Sequence, residues 1–223
     1  MKRIVLAAAV LISTVGSLTQ ARAGTLEATA GVSTLGEGIG LSAPLSPGVL
    51  NLVVDFNHYT KDRSGVYTDS NGDTIPYAAS ARLQSIPVLL NFYPFHGVFR
   101  LTGGVVYDEN QMDVTGSGNS YTFNGVSYPA ASVGTFSGSI RFRRYAPYLG
   151  LGFGDTLNGS GLSAGFDLGV LFQGSPQVTL HASNPTGDPT LAQNVASAQA
   201  QANQKAASDK YYPVVGLHLG YTF

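Results

Sequence analysis

The sequence predicts an all-β protein, a single eight-stranded antiparallel up-and-down transmembrane β-barrel. Eight segments alternate bulky apolar residues with small, polar or charged residues, which is the period of a β-strand. Charged residues make up only 11% of the chain, although Gly, Tyr and Phe are frequent; a soluble domain usually has roughly a quarter. Short turns and long polar segments alternate between the strands, as they do in membrane barrels.

The N-terminus has the three parts of a secretory signal peptide. Lys2 and Arg3 supply a positive start, and a short apolar run extends from Ile4 to Leu18. A small-x-small cleavage site follows at residues 21–23. An N-terminal anchor helix is the alternative, but the run is short for a membrane span. We therefore expect a cleaved signal peptide at 1–23 and one barrel domain at 24–223.

Composition excludes several classes of function. Without cysteine, the chain has no disulfide, no thiolate metal ligand and no lipid-modified N-terminal cysteine. Removing Lys2, Arg3 and Arg22 from the twelve basic residues leaves nine against thirteen acidic ones, a net charge of −4. This balance does not favour a nucleic-acid partner. The four histidines are scattered without metal-ligand spacing and no phosphate loop is present, so we expect neither metal nor cofactor.

Four alternating segments lie before residue 94, at about 25–34, 38–45, 49–60 and 77–93. The third is the clearest, because residues 50, 52, 54 and 56 are apolar, whereas three of the four residues 51, 53, 55 and 57 are polar. In the fourth, only the half from Ile86 to Phe92 alternates regularly. We therefore expect a β-bulge before Pro87.

Four further segments follow, at about 98–113, 141–156, 162–181 and 211–223. In each, the bulky apolar residues share one face, and the other face is small, polar or charged. Charged groups cannot be buried unpaired in an apolar core, so the polar face should line the lumen and the apolar face should meet lipid.

The inner charges predict a paired network that plugs the lumen, because eight strands enclose a space that side chains just fill. Its members are Glu27, Asp55, Arg100, Asp108, Arg144, Asp167 and His218, with Arg82 as a further candidate. A narrow conduit for small or hydrophobic solutes is the alternative for this lumen.

The connections predict the orientation of the barrel. Turn residues form short links at 46–48, 94–97 and 158–161, whereas 61–76, 114–140 and 182–210 are long and polar. The first outer connection, near Leu35, is the one short exception. Long loops lie outside the cell and an even strand number places both termini in the periplasm. Aromatic residues gather at both ends of the strands, as expected at headgroup depth.

Two motifs resemble known families. The last strand resembles the C-terminal signal read by the barrel-assembly machinery, through Leu217, Leu219, Tyr221 and Phe223. Residues 144–152, RYAPYLGLG, resemble a strand common in small barrels of the OmpW, OmpA and opacity-protein types. The resemblance implies a Gram-negative outer-membrane protein that contacts lipid and lipopolysaccharide, with a structural, envelope or surface-contact role. For OmpW-type barrels it also implies a possible conduit.

His181 and Ser183 are the strongest catalytic candidates, since their spacing resembles the His-x-Ser of outer-membrane lipid A deacylases. A serine nucleophile needs a base and an orienting acid. The glutamate of that pattern has no counterpart, and only Asp188 and Asp209 are near in sequence. The other interpretation is a histidine at a loop edge. We therefore expect a protein that is not an enzyme, and lipid A modification is the alternative function.

The segment 188–210 differs in composition from the strands. Asp188 followed by Pro189 is a good helix start, and the residues after them are rich in Ala, Gln and Asn. Leu191 and Val195 are its only large apolar residues. Either a short helix over the barrel mouth or a disordered loop fits this composition.

Overall fold

The computed structural model describes residues 26–68, 74–154 and 161–223, so the expected signal peptide lies outside the described residues. The first strands are β1 (Glu27–Ser33), β2 (Gly36–Ser46), β3 (Leu50–Thr68), β4 (Thr74–Phe92) and β5 (Phe99–Asp108). Next come β6 (Gln111–Gly116), β7 (Ser120–Phe123), β8 (Val126–Pro129), helix α1 (Ala130–Val133) and β9 (Phe136–Arg141). The chain ends with β10 (Tyr145–Gly154), β11 (Gly161–Leu171), β12 (Gln177–Ala182), helix α2 (Pro189–Ala206) and β13 (Tyr212–Thr222).

Eight strands close into the predicted antiparallel up-and-down barrel. Its order is β1-β2-β3-β4-β5-β10-β11-β13, and β13 returns to β1 with Thr222 opposite Glu27 and Gly216 opposite Ser33. Closure gives every strand two hydrogen-bonded neighbours, which a wall facing lipid requires. None of the helices among the described residues is both long and apolar enough to cross a membrane.

The apolar face of each barrel strand points outward, as predicted. In β13, Leu217 and Leu219 are 60% and 66% exposed, whereas Val214 and Thr222 are buried inside. Rings mark the turn end of the barrel, where Phe99 lies 5.2 Å from Phe153 between centroids. Rings also mark the opposite end, where Tyr107 lies 5.4 Å from Tyr145. These two belts bound the apolar band as expected for membrane interfaces.

The sheet extends beyond the outer belt, and this corrects the expected loops at 61–76 and 114–140. Strand β3 continues to Thr68 and β4 already begins at Thr74. From Arg82 outward, β4 pairs with β6 rather than β5, and β9 and β12 continue the sheet. β6, β9 and β12 are therefore outer continuations of the barrel strands β5, β10 and β11, each after a short break.

The apolar face inverts where the strands leave the barrel. In β4, Val88 and Leu90 face outward, but above Ser85 the apolar residues Leu83, Ala81, Ala79, Tyr77 and Ile75 lie on the inward side. The predicted bulge before Pro87 is wrong, because Val54 pairs with Val88 and Asn57 pairs with Ser85, so the register is unchanged. This inversion explains the irregular alternation in the first half of the fourth segment. Lipid surrounds the strands below this level, so the outward face is apolar there, whereas water surrounds them above it.

The inward face of the extension is covered by a second hydrophobic core. Tyr121, Phe123, Val133, Leu191 and Val195 are all buried there, on β7, α1 and α2. Of the two structures expected for segment 188–210, a helix or a disordered loop, the protein has the helix. We call β6–β9, β12, α1 and α2, with residues 59–68 and 74–84 of β3 and β4, the outer cap.

Helix α2 begins and ends where local chemistry favours it. The carboxylate of Asp188 accepts a hydrogen bond from the Thr190 amide at 2.8 Å, and Pro189 occupies the first turn. Lys205 lies in the last turn, where the helix dipole favours a cation.

The free edge of β12 is hydrogen-bonded by side chains of α2. Asn203 accepts from the Val178 amide and donates to the Val178 carbonyl, both at 2.8 Å. Gln199 accepts from the Leu180 amide at 2.8 Å. These amide groups take the place of a neighbouring strand, so the outer cap does not leave this edge open to pairing with another chain.

Candidate functional site

The lumen near the turn end contains an ion-paired group from three strands. Arg100 on β5 is 2% exposed and donates to Asp167 on β11 at 2.6 Å. His218 on β13 lies 3.1 Å from the other oxygen of the same carboxylate. Gly152 lies between Arg100 and Asp167 in the register, and a Cβ there would be 2.3 Å from the arginine Nε. The glycine therefore provides the space that the arginine side chain occupies.

The remaining inner charges of this end share the same cavity. Ser163 donates to the carboxylate of Glu27, and both side chains are buried. Glu27, Asp55, Arg100, Asp167 and His218 all line a cavity of about 130 Å³. The structure thus brings together five of the residues that the sequence assigned to the lumen network.

Three of the candidates lie elsewhere. Asp108 is buried at the outer end of β5, eight residues and about 26 Å of strand from Arg100, and accepts from the Asn110 amide. Arg144 is exposed just before β10, and its carbonyl accepts a hydrogen bond from the Asp108 amide at 2.7 Å. Arg82 lies on the outward face of β4. Placing Arg82 inside was wrong, because Arg82 lies beyond the level where the inner face becomes apolar. Arg144 lies at that level, beside Asp108, and is exposed.

An apolar layer lies in the outer half of the lumen, and sequence reasoning missed it. Four of its members, Leu35, Val106, Tyr148 and Val214, also line the cavity that the charged group lines. The buried members of the layer are Leu35, Val106, Ala146, Tyr148, Leu171 and Val214, all at most 5% exposed, with Leu89 and Tyr212 packed against them. They come from strands on opposite walls, so the layer crosses the lumen. The signal was present in the sequence, because the inner set of β5, β10 and β13 contains Val106, Tyr148 and Val214.

Tyr148 reaches across the wall because glycines flank it. A Cβ at Gly150 would lie 2.5 Å from the Tyr148 hydroxyl oxygen, and one at Gly169 would lie 2.3 Å from it. Both glycines belong to the inner face of β10 and β11. The space that these two small inner-face residues leave is thus occupied by the Tyr148 ring and is not an open passage.

The Ser183 side chain contacts backbone groups of the outer cap. Its Oγ accepts from the Thr135 amide at 3.1 Å and lies 3.5 Å from the Val133 carbonyl. The nearest acid in sequence, Asp188, caps helix α2 instead of orienting a histidine. His181 is exposed on the edge strand β12. No group of three or more His, Cys, Asp or Glu side chains in the described part of the chain could hold a metal.

The closed barrel, two aromatic belts and outward apolar face give the chain the fold of small eight-stranded outer-membrane β-barrel proteins. It is similar to the crystal structure of Acinetobacter baumannii CarO2, with a TM-score of 0.57 and 18% identity over 91% of this chain and 100% of that one. It is also similar to Acinetobacter baumannii CarO, with a TM-score of 0.54 and 21% identity over 92% of this chain and 100% of that one. No protein-family model and no curated protein matches the sequence.

Proposed function

We propose that this protein is an outer-membrane barrel with a closed lumen, whose role is structural or lies in contacts made by its outer cap. The apolar layer around Tyr148 and Leu171 carries the proposal. Hydrated solutes cross an apolar constriction poorly, because water leaves a narrow passage that offers it no hydrogen bonds. The ion-paired group around Arg100 occupies the other half of the lumen, so two different barriers lie in series.

Location and orientation belong to the same proposal. The short turns at 47–49 and 93–98 lie at the end that also carries both described chain ends, and the outer cap lies at the other. This arrangement supports periplasmic termini and a cap outside the cell. Leu217, Leu219, Tyr221 and Phe223 face outward near the turn end, where assembly machinery could bind them during insertion. Protease added to intact cells should then cleave in the cap and spare the barrel.

The test is ion and solute efflux from liposomes that carry the refolded, heat-modifiable protein. We expect the wild type to retain both, like empty liposomes. The variant Y148A/L171A truncates the one tyrosine and one of the two leucines among the buried members of the apolar layer and should leak small ions. The matched control L149A/L168A removes lipid-facing neighbours of the same strands and should stay tight.

Each outcome is informative. Flux through the folded wild type would overturn the closed-lumen proposal and favour a narrow channel, with Arg100 and Asp167 as determinants of its selectivity. Wild-type retention with leakage only in Y148A/L171A would identify the apolar layer as the barrier. Equal leakage in Y148A/L171A and its control would show that the layer is not the barrier.

A further inference from the structure

The basic side chains of the chain are strongly asymmetric. Of the nine that follow residue 23, only Arg100 lies inside the barrel. The other eight lie at or beyond the outer belt, at positions 61, 63, 82, 141, 143, 144, 205 and 210. The turns 47–49 and 93–98 at the opposite end contain neither Lys nor Arg.

Four of these residues form what we call the arginine cluster: Arg82, Arg141, Arg143 and Arg144. Gln111 pairs with both Arg82 and Arg141, so the three side chains share the outward face of adjacent strands. Two strand spacings separate the Cα atoms of the two arginines by about 10 Å. The Arg143 guanidinium lies beside Gly174, in the break between β11 and β12. All four arginines are exposed.

The cluster lies just above the outer aromatic belt. Arg144 directly precedes Tyr145, whose ring packs against that of Tyr107. Arg141 lies four residues before Tyr145, which is about 13 Å of extended chain away from the belt. Rings of such belts sit at headgroup depth, so the cluster spans the level of lipid phosphates. Below it, Val88, Val105 and Leu149 present an exposed apolar surface at acyl-chain depth.

The nearby acids do not neutralise the cluster. Glu109 accepts from the Tyr107 hydroxyl at 2.7 Å, and Asp113 accepts from the Gln111 side-chain amide at 2.7 and 2.8 Å. Among the described residues, no ion pair involves any of the four arginines. Asp62 is a third acid on this face, two residues beyond Thr60, which pairs with Arg82. Four cations against three carboxylates leave a net positive surface.

We propose that the arginine cluster binds the phosphates of the outer-leaflet glycolipid, the lipid A part of lipopolysaccharide. Guanidinium groups bind phosphate in a bidentate manner, and several can share one phosphorylated headgroup. The apolar surface below the cluster then contacts the acyl chains of the same molecule. A soluble anion would use only the first of these two surfaces, which is why the lipid is the better occupant. The inference rests on the proposed orientation, which places the cap at the outer leaflet, but not on whether the lumen conducts.

The experiment is native mass spectrometry of the folded protein in detergent with purified bis-phosphorylated lipid A. The test variant is R82Q/R141Q/R143Q/R144Q. The matched control K61Q/R63Q/K205Q/K210Q removes the same number of cations from other parts of the cap. Heat-modifiability without lipid establishes that each variant is folded; if the test variant is not, R141Q and R143Q are measured singly.

We expect the wild type and the control to bind lipid A alike, and the test variant to bind about tenfold more weakly or worse, because charge-assisted contacts to phosphate are lost. Dephosphorylated lipid A should bind the wild type as weakly as lipid A binds the test variant. Equal binding of lipid A to test variant and wild type would overturn the proposal. So would displacement of lipid A by millimolar inorganic phosphate, which would indicate a site for free anions.

Discussion

Replacing Asp167 by Asn tests the ion-paired group of the lumen most directly. Arg100 is 2% exposed and donates to this carboxylate at 2.6 Å, so the substitution removes a negative charge that is in direct contact with a buried guanidinium. Removing one partner of a buried ion pair typically costs about 3–5 kcal/mol. Because the Asp167 side chain is 27% exposed, water reaches part of the group and we expect the lower part of that range, about 3 kcal/mol.

The double variant R100M/D167L supplies the matched comparison. It replaces both charges by apolar groups, with Met close in volume to Arg and Leu larger than Asp, and apolar replacements of buried pairs are often neutral or stabilising. We therefore expect it to be more stable than D167N, even though it carries one more substitution. Urea unfolding of the barrel in phosphocholine vesicles, followed by heat-modifiability on gels, measures the free energies of unfolding.

Two results would refute this reasoning. A loss below about 1 kcal/mol in D167N would place the pair among weakly coupled, solvated pairs. A double variant as unstable as D167N would show that side-chain shape, rather than the lost charge interaction, determines the loss.

Three further predictions concern the apolar layer, the sheet edge and the catalytic candidate. Leu171→Ala opens a cavity in a fully buried site and should lower the unfolding free energy by about 2–5 kcal/mol; lipid-facing Leu168→Ala should cost less in the same urea experiment, and equal losses would contradict a packed layer. Asn203→Ala removes two hydrogen bonds to the backbone of β12 and should speed amide hydrogen exchange there, since buried groups left unpaired cost about 1–3 kcal/mol each. The control is Gln193→Ala at an exposed position of α2, and unchanged exchange in Asn203→Ala would rule out protection of the edge. Ser183→Ala should lower the unfolding free energy by about 1 kcal/mol through one lost hydrogen bond. Lipid A incubated with the wild type or with this variant should keep its mass; loss of an acyl chain with the wild type but not with the variant would instead establish an enzyme.

The barrel itself was predictable because strand alternation is a local property. Each residue of β13, for example, is apolar or small according to its face, whatever the other strands do. Pairing of Arg100 with a lumen carboxylate was also predictable in kind, because a buried arginine requires a counter-charge. The helix start at Asp188 was predictable for the same local reason.

The lumen layer and the outer cap were harder to predict. Val106, Tyr148 and Val214 belong to the inner set that sequence reasoning treated as polar, and only their positions on different walls show that they meet. Residues 77–84 alternate as well, but with the opposite face apolar, so a search for one continuous lipid-facing stripe finds only an irregular half-strand there and suggests a bulge.

By itself, the sequence determined the strand number, the lipid-facing side, the short turns near 46–48 and 94–97, and the helix start, since these depend on neighbours along the chain; most of the turn predicted at 158–161 lies outside the described residues. The tertiary structure alone decided which strands continue above the membrane, where Arg82 and Arg144 lie, and how α2 closes the edge of β12. The physical reason is that these features depend on register between distant segments. The solvent on each side of a strand, lipid below and water above, then sets which face must be apolar.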